Sequence, residues 1–439
     1  MAQLDISPRN PLSGAEEQPA SDGAPAAYLP GRLVFVHVMK TAGTSLYRWL
    51  QRHYRHDDIL TEASNWLGYW RMPPDIRARK RFVRGHFGSY ITHYHNAANG
   101  FRTITVLRDP VERAVSHYYH GKSAPDAGRL GKVIRGENLS LDDYLEHPGC
   151  AAFAQNFQVR NFAYDIDARY DTEKLAPAQF FKRPMAEADL RNAQTFLEQT
   201  DLVGYTEELG EFVDALSGMM GFVPEEDLGS ARGYRQRGQA LSPDTEKRIR
   251  KANALDIELY EWARRNVPKP GVKTIGMVPK AAVNPIDLSN RPALRWSVMD
   301  PFFGNGWSDV HSAEGVAAPP HRWTIDRQDA TLRVKVDPNA TYRLGVNLLR
   351  FATDEQASEF SILADGKALD LSRNFRLPSI LKAGRGYTTT FGPTGKAECV
   401  LTFHVKTLKS FHTLNPSDDD RTLRGLALCS LDFTKMDGR

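Results

Sequence analysis

Residues 33–38, Leu-Val-Phe-Val-His-Val, form an apolar, β-branched run interrupted only by His37. A run of that kind predicts a strand buried on both faces of a parallel sheet. It turns through Lys40-Thr-Ala-Gly-Thr-Ser45 into a segment with Leu46, Trp49 and Leu50 on one side, the spacing of an amphipathic helix. Trp66 to Pro74 reads as a loop-rich aromatic stretch. Arg81-Phe-Val83 and Phe101–Leu107 read as two more strands, the first delivering Arg84-Gly-His86 and the second Arg108-Asp-Pro-Val-Glu112. At the latter junction Asp109 can cap a helix, Pro110 suits its first position, and Glu112 completes a capping-box pattern. That helix continues through Arg113, Val115, Ser116 and Tyr119.

From about residue 140 to 266 the periodicity is helical, with Leu202–Tyr205 a short strand before a helix over 207–218. Ser242-Pro-Asp244 starts a helix whose Ile249, Ala252, Leu255, Leu259 and Trp262 recur at spacings of three and four. Strands alternating with helices predict a three-layer α/β fold on a parallel sheet. Ligands of such sheets sit beyond the carboxyl ends of the strands, where the 40–45 loop, His86 and Arg108 all fall. Pro268, Pro270, Pro279, Pro285 and Pro292 then break all periodicity. Beyond them, alternating runs such as Thr331–Val336 and Cys399–Val405, separated by polar turns, predict an all-β, antiparallel sandwich. The expected organisation is a flexible tail over 1–30, an α/β domain over 31–266, a Pro-rich linker over 267–292 and a β-sandwich over 293–439.

Composition narrows the function. A chain of 439 residues with 41% hydrophobic and 25% charged residues is an ordinary globular protein of more than one domain. A net charge of +4 suits an anionic ligand but is far from that of a dedicated nucleic-acid binder. Cys150, Cys399 and Cys429 are too sparse for a disulfide framework or a structural zinc site, and no metal is expected. The N-terminal stretch lacks a signal-peptide core, and no run reaches the roughly 18 apolar residues of a membrane span. A cytoplasmic protein is expected.

A strand, a Gly/Thr/Ser loop and a helix start make an anion cradle, because free backbone N–H groups and the helix dipole point over the loop. Lys40 adds a cation and Thr41, Thr44 and Ser45 add hydroxyls. The loop is not G-x-x-x-x-G-K-[ST]: the lysine precedes Gly43, and no glycine opens the turn. It is shorter than the loop that wraps the β- and γ-phosphates of a nucleoside triphosphate, and no acidic cluster awaits a magnesium ion.

Phe35-Val-His-Val-Met-Lys-Thr-Ala-Gly-Thr-Ser45 resembles the 5′-phosphosulfate loop of sulfotransferases that use 3′-phosphoadenosine 5′-phosphosulfate (PAPS). Thr105-Val-Leu-Arg-Asp-Pro-Val-Glu-Arg-Ala-Val-Ser-His-Tyr-Tyr119 resembles their 3′-phosphate motif. Arg84-Gly-His86 between them, Asn156–Arg160 and Tyr205-Thr-Glu-Glu-Leu209 are similar to the carbohydrate branch that includes heparan sulfate 2-O-sulfotransferase. The resemblance covers about residues 30–266. Met39 departs from it, standing where proline is usual. The resemblance implies a P-loop-like sulfotransferase domain with PAPS as donor, adenosine 3′,5′-bisphosphate as product and a carbohydrate hydroxyl as acceptor, in a bacterial cytoplasmic enzyme. By position, it implies that Lys40, Thr41, Gly43, Thr44 and Ser45 hold the 5′-phosphosulfate and that Arg108 and Ser116 hold the 3′-phosphate. His86, neutral at pH 7 at its ordinary pKa of about 6.5, is the expected base, and Lys40 is the expected stabiliser of the leaving phosphate.

Other residues leave two readings open. His86 is one of thirteen histidines, and His37, inside the strand, reads as a satisfied core residue. Arg84 either meets acceptor or caps a strand end. Asn156 and Arg160 either line the acceptor cleft or are structural. Arg232, Arg235 and Arg237 form a basic loop that either closes over the donor or is solvated. Gly304-Asn-Gly-Trp307, Glu314 and Arg322-Trp-Thr324 resemble a β-sandwich module of bacterial polysaccharide-related proteins, with the tryptophans read as core rather than as sugar platforms. Two rival functions stand beside sulfuryl transfer: an ATP-dependent sugar or small-molecule kinase, and a non-catalytic glycan-binding protein on a relic of the same fold.

Overall fold

The computed structural model describes residues 30–60, 66–123, 128–163, 183–222, 241–268, 284–311, 318–374, 385–418 and 420–436. Residues 1–29 of the expected tail over 1–30, the Arg232–Arg237 loop and linker residues 269–283 lie outside the described residues. The chain divides into two compact units, Met1–Leu46 with Asp58–Lys280 and Tyr47–Asp57 with Ala281–Arg439.

The first unit holds a four-stranded parallel sheet in the order β2-β1-β3-β4, from β1 (Arg32–Val36), β2 (Phe82–Gly85), β3 (Phe101–Leu107) and β4 (Leu202–Tyr205). Central β1 has a strand on each side, and Leu33, Val34, Phe35 and Val36 are all buried. That explains the unbroken apolar run. Val36 stands level with Gly85 on one side and Thr105 on the other, and the Thr105 hydroxyl donates to the Val36 carbonyl at 2.8 Å. Because the strands are parallel, the segments that leave Val36, Gly85 and Leu107 emerge along one edge.

Three local expectations change. Trp66–Pro74 is helical at both ends: α2 spans Trp66–Arg71 and α3 spans Pro74–Arg79, with Tyr69 and Met72 buried. Short turns of four or five apolar-spaced residues are hard to separate from loops by pattern alone. The helix starting at Ser242 is capped as expected, its hydroxyl accepting from the Thr245 N–H at 3.1 Å. It ends at Ala252, and a second helix runs Ala254–Asn266, because Asn253 leaves helical geometry and its side chain bonds the Ile249 carbonyl and the Asn156 N–H. The capping box after Arg108 is only half made. The Glu112 N–H donates to Asp109 at 2.9 Å, opening α4 (Pro110–Ser123), but the Asp109 N–H goes to Glu207 at 3.0 Å.

The second unit is built from two antiparallel sheets over one core. One has the order β10-β9-β13-β7, from β7 (Asp329–Lys335), β9 (Phe360–Ala364), β10 (Lys367–Ala368) and β13 (Glu398–Val405). The other has the order β11-β12-β8-β14-β5, with β6 (Arg322–Ile325) also on β14. Its strands are β5 (Ala293–Ser297), β8 (Thr341–Phe351), β11 (Ser372–Asn374), β12 (Arg385–Phe391) and β14 (Arg424–Met436). Leu332, Ile362 and Phe403 of the first meet Leu344, Val346, Leu431 and Phe433 of the second in one buried cluster. Trp296, Trp307 and Trp323 are buried, as core tryptophans should be. Residues 284–292, counted with the linker in sequence, belong to this unit: Ile286 and Leu288 are fully buried in its core. Their neighbours Pro285 and Pro292 hid that alternation.

Candidate active site

All of the expected site residues lie in the first unit, in the segments that follow β1, β2 and β3. After β1 the chain passes His37 and turns sharply, with Lys40 at φ 72° and Ala42 at φ 60°. Left-handed backbone at two non-glycine residues costs about 1–2 kcal/mol each and has to be held by its surroundings. Two bonds hold it here. The Thr41 hydroxyl donates inward to the Val38 carbonyl at 2.9 Å, and the Arg108 guanidinium Nη1 donates to the Lys40 carbonyl at 3.1 Å. Thr41 is therefore fully buried, and its hydroxyl closes the turn rather than facing the edge, against expectation. Its backbone is what it can offer an anion.

Helix α1 (Gly43–Leu50) starts directly from this turn. Gly43 is required by its neighbour: a Cβ there would stand 1.7 Å from Nε2 of His37. Thr44 is exposed and Ser45 is nearly buried, so of the hydroxyls Thr44 is the open one. Lys40 is half-buried beside them.

Arg108 directly follows β3, and its backbone is held on every side. The Gln158 side chain accepts from the Arg108 N–H at 3.0 Å and donates to the Arg108 carbonyl at 2.9 Å. Thr206 donates to the Leu107 carbonyl at 3.1 Å, and Glu207 accepts from Asp109. The guanidinium then spans from Lys40 to Glu112, the latter at 3.7 Å. Ser116 lies two turns into α4, half-buried, on the helix that Arg108 precedes.

Asn156–Arg160 proves to be the support for this turn. Asn156, at φ 45°, accepts from the N–H groups of Leu255 and Asp256 at 3.0 and 3.2 Å, capping the helix Ala254–Asn266. Asp256 in return accepts from Gln158 and Val159 at 3.0 and 2.8 Å, capping the helix Phe157–Phe162. Burial raises the Asp256 pKa, opposed by the charge of nearby buried Arg113 and by those N–H donors. Arg160 is buried. The structural reading of Asn156 and Arg160 fits these contacts.

His86 follows β2 on the same edge. Its ring is tilted against that of His37 at a centroid distance of 4.9 Å, and it is hydrogen-bonded to the His37 backbone. Loss of surrounding water, then the charge of Arg84, lowers its pKa to about 4. Its side chain is nonetheless exposed at the surface, and solvent reaching the ring weakens that effect. What stands is the direction: a ring held neutral at pH 7. With one nitrogen on the His37 carbonyl, the other is left to accept a proton.

His37 itself is more than a satisfied core residue. It is buried between Phe35, stacked at 5.2 Å, and His86, and its Nδ1 has no hydrogen-bond partner among the described residues. Burial, then the charges of His86, Arg84 and Lys40, hold its pKa well below the ordinary value. Lys40, Arg84 and His86 thus all act on one buried ring. Sequence reasoning missed this; it singled out the segments holding Gln158, Thr206 and Glu207 by resemblance but gave those residues no role, and it missed Asp256. The local signal for Gln158 was a glutamine flanked by apolar Phe157 and Val159.

A model of the sulfotransferase family matches residues 31–263. The chain belongs to the sulfotransferase family. Among curated proteins, it is similar to "Heparan-sulfate 6-O-sulfotransferase 2" of Danio rerio, 25% identical over 279 residues. The match covers 53% of this chain and 57% of that relative, so the sulfotransferase spans little more than half the relative's length. Sequence motifs had pointed to the branch containing a 2-O enzyme; this relative is named for the 6-O position. Among solved structures, a mouse sulfotransferase, SULT7A1, complexed with PAP is 12% identical with a TM-score of 0.20, over 54% of this chain and 88% of that one. A family 35 carbohydrate binding module from Clostridium thermocellum is 10% identical with a TM-score of 0.21, over 32% of this chain and 96% of that one. Among the described residues no helix is long and apolar enough to cross a membrane, and no three His, Cys, Asp or Glu side chains are grouped to hold a metal ion.

Proposed function

We propose that this sulfotransferase moves a sulfuryl group from 3′-phosphoadenosine 5′-phosphosulfate to a hydroxyl of a carbohydrate acceptor, on a P-loop-like α/β domain. The observation that carries this reading is the bond from the Arg108 guanidinium to the Lys40 carbonyl. It brings two cationic motifs from separate strands together, which suits a nucleotide with anionic groups at both its 5′ and 3′ positions. Lys40, the N–H groups at the start of α1 and the Thr44 hydroxyl take the 5′ end in this reading; Arg108 and Ser116 take the 3′ end. The heparan-sulfate relative supports a sugar acceptor.

Sulfuryl transfer asks the protein for alignment and charge stabilisation more than for covalent chemistry. His86, held by the His37 carbonyl, accepts the proton of the attacking hydroxyl as that oxygen bonds to sulfur. Lys40 neutralises the charge that develops on the 5′-phosphate oxygen as its bond to sulfur breaks. The products are a sulfate ester and adenosine 3′,5′-bisphosphate.

The test is thermal unfolding with adenosine 3′,5′-bisphosphate, against ADP and magnesium ATP. A ligand at a hundred times its dissociation constant adds about 2.7 kcal/mol, an easily read shift. Selective stabilisation by the bisphosphate that disappears in Arg108→Ala supports the reading. Stabilisation by magnesium ATP alone makes the protein a kinase, and no shift with any nucleotide favours a glycan-binding relic.

A further inference from the structure

Arg108 stands one residue beyond the last strand pairing, where Leu107 faces Tyr205, so its N–H and C=O have no neighbouring strand to meet. Gln158 supplies the missing partner. Its amide accepts from the Arg108 N–H and donates to the Arg108 carbonyl, as a paired residue in a ladder would. The glutamine is fully buried, and its own backbone N–H is fixed by Asp256 at 3.0 Å. A buried carboxamide with both ends satisfied has one orientation, so the Arg108 Cα has one position.

We propose that Gln158 is a positioning residue that sets the enzyme's preference for a nucleotide carrying a 3′-phosphate. It touches no substrate; it fixes the point from which the Arg108 guanidinium reaches, and so whether that fork meets a phosphate squarely. This rests on the donor reading above. The bidentate geometry of a guanidinium on a phosphate is lost with small shifts of its base, whereas the 40–45 turn that takes the 5′ end keeps the Thr41–Val38 bond and the start of α1 when its bond to Arg108 shifts. The larger loss therefore falls on the 3′ end of the nucleotide. Gln158→Leu keeps the volume and removes both bonds. Gln158→Glu keeps the acceptor for the Arg108 N–H but turns a carboxylate oxygen toward the Arg108 carbonyl.

The experiment measures the affinity of wild type, Q158L, Q158E, R108A and the double variant Q158L/R108A for adenosine 3′,5′-bisphosphate and for adenosine 5′-monophosphate. Wild type prefers the bisphosphate. Q158L weakens bisphosphate binding about tenfold, the size of one lost positioning interaction, and changes monophosphate binding less than about twofold. Q158E does the same if Q158L folds poorly, as ligand-free melting reveals. In the R108A background Q158L adds nothing to the loss, because its effect runs through that side chain. A wild-type preference that survives Q158L and Q158E, equal weakening of both nucleotides, or additive losses with R108A overturns the proposal and leaves Gln158 a structural residue. A wild type that does not distinguish the two nucleotides overturns the donor reading, and the proposal with it.

Discussion

His37 fills the space that any side chain at Gly43 would need. Its Nε2, Cδ2 and Cε1 atoms would lie 1.7, 2.2 and 2.5 Å from a Cβ at that position. The ring is flanked on both sides, with Phe35 stacked on it at 5.2 Å and His86 leaning on it at 4.9 Å. The start of α1 and the candidate base are thus located by one imidazole.

Gly43→Ala should accordingly cost more than a surface change of the same size. The added methyl has to push His37 against His86 or lift the 40–43 turn, and a misplacement of about 1 Å can cost roughly a hundredfold in rate. The expected outcome is a fall in kcat/KM of about two decades with loss of nucleotide-induced stabilisation. Trimming the ring should relieve the clash, so His37→Ala in the Gly43→Ala background should recover part of the nucleotide response. A Gly43→Ala enzyme with unchanged kinetics would remove the argument.

The paired caps of Asn156 and Asp256 predict an unequal pair of stability losses. Asn156→Ala removes a helix cap, about 1–2 kcal/mol, and leaves alanine at a left-handed φ of 45°. Asp256→Ala removes the other cap and also strips the carboxylate from the surroundings of buried Arg113, for which about 3–5 kcal/mol is the expected scale. Because Asn156 caps the helix that contains Asp256, and Asp256 caps the helix that Asn156 precedes, urea unfolding of the double variant should fall short of the summed single losses by about 0.5–3 kcal/mol. Strict additivity would mean the two caps act separately.

How much of this was legible follows from what each residue answers to. The strand 33–38 and the cap at Asp109 obey local rules, an apolar run and an N-cap followed by proline, and both were read from sequence. Lys40, His86 and Arg108 were placed on one sheet edge because parallel strands oblige it. Gln158, Thr206 and Glu207 could not be read, since their partners lie 50 to 99 residues away and are backbone groups with no identity of their own. Asn253 breaks a helix that periodicity carries straight through, because its side chain answers to Asn156. The Pro-rich stretch hid Ile286 and Leu288 for the opposite reason: two apolar positions among prolines give no period.

The buried histidines predict an early acid limit to the first unit's stability. His37, His95 and His117 are buried there, and burial lowers the pKa of all three, His95 to about 3. Below the unfolded value of about 6.5 the unfolded chain takes up protons that the folded one refuses, so stability is complete above that pH and declines below it. Each such histidine contributes up to about 1.4 kcal/mol per pH unit over the window between its two pKa values. Urea midpoints should fall as pH drops from about 6.5 to 5, before carboxylates titrate, and His95→Phe should flatten the slope. A flat profile across that range would contradict the burial of these rings as neutral groups.

Activity should respond to pH through His86, and Arg84 sets where. Desolvation first and the Arg84 charge second hold the His86 pKa below the ordinary histidine value. A base is lost on protonation, so the acid limb of kcat/KM should fall well below the ordinary histidine value of about 6.5. Replacing Arg84 with methionine removes a positive charge while keeping an apolar stem, which favours the imidazolium and moves the limb upward. Arg84→Met should therefore lose activity at pH 5 to 6 while keeping most of it at pH 8. His86→Ala should lose about two to four decades on the neutral plateau, less on the acid limb where the wild-type base is already protonated, and abolish the limb. If Arg84→Met instead loses activity equally across the range, its guanidinium contacts the acceptor, and an acid limb that survives His86→Ala would remove His86 as the base.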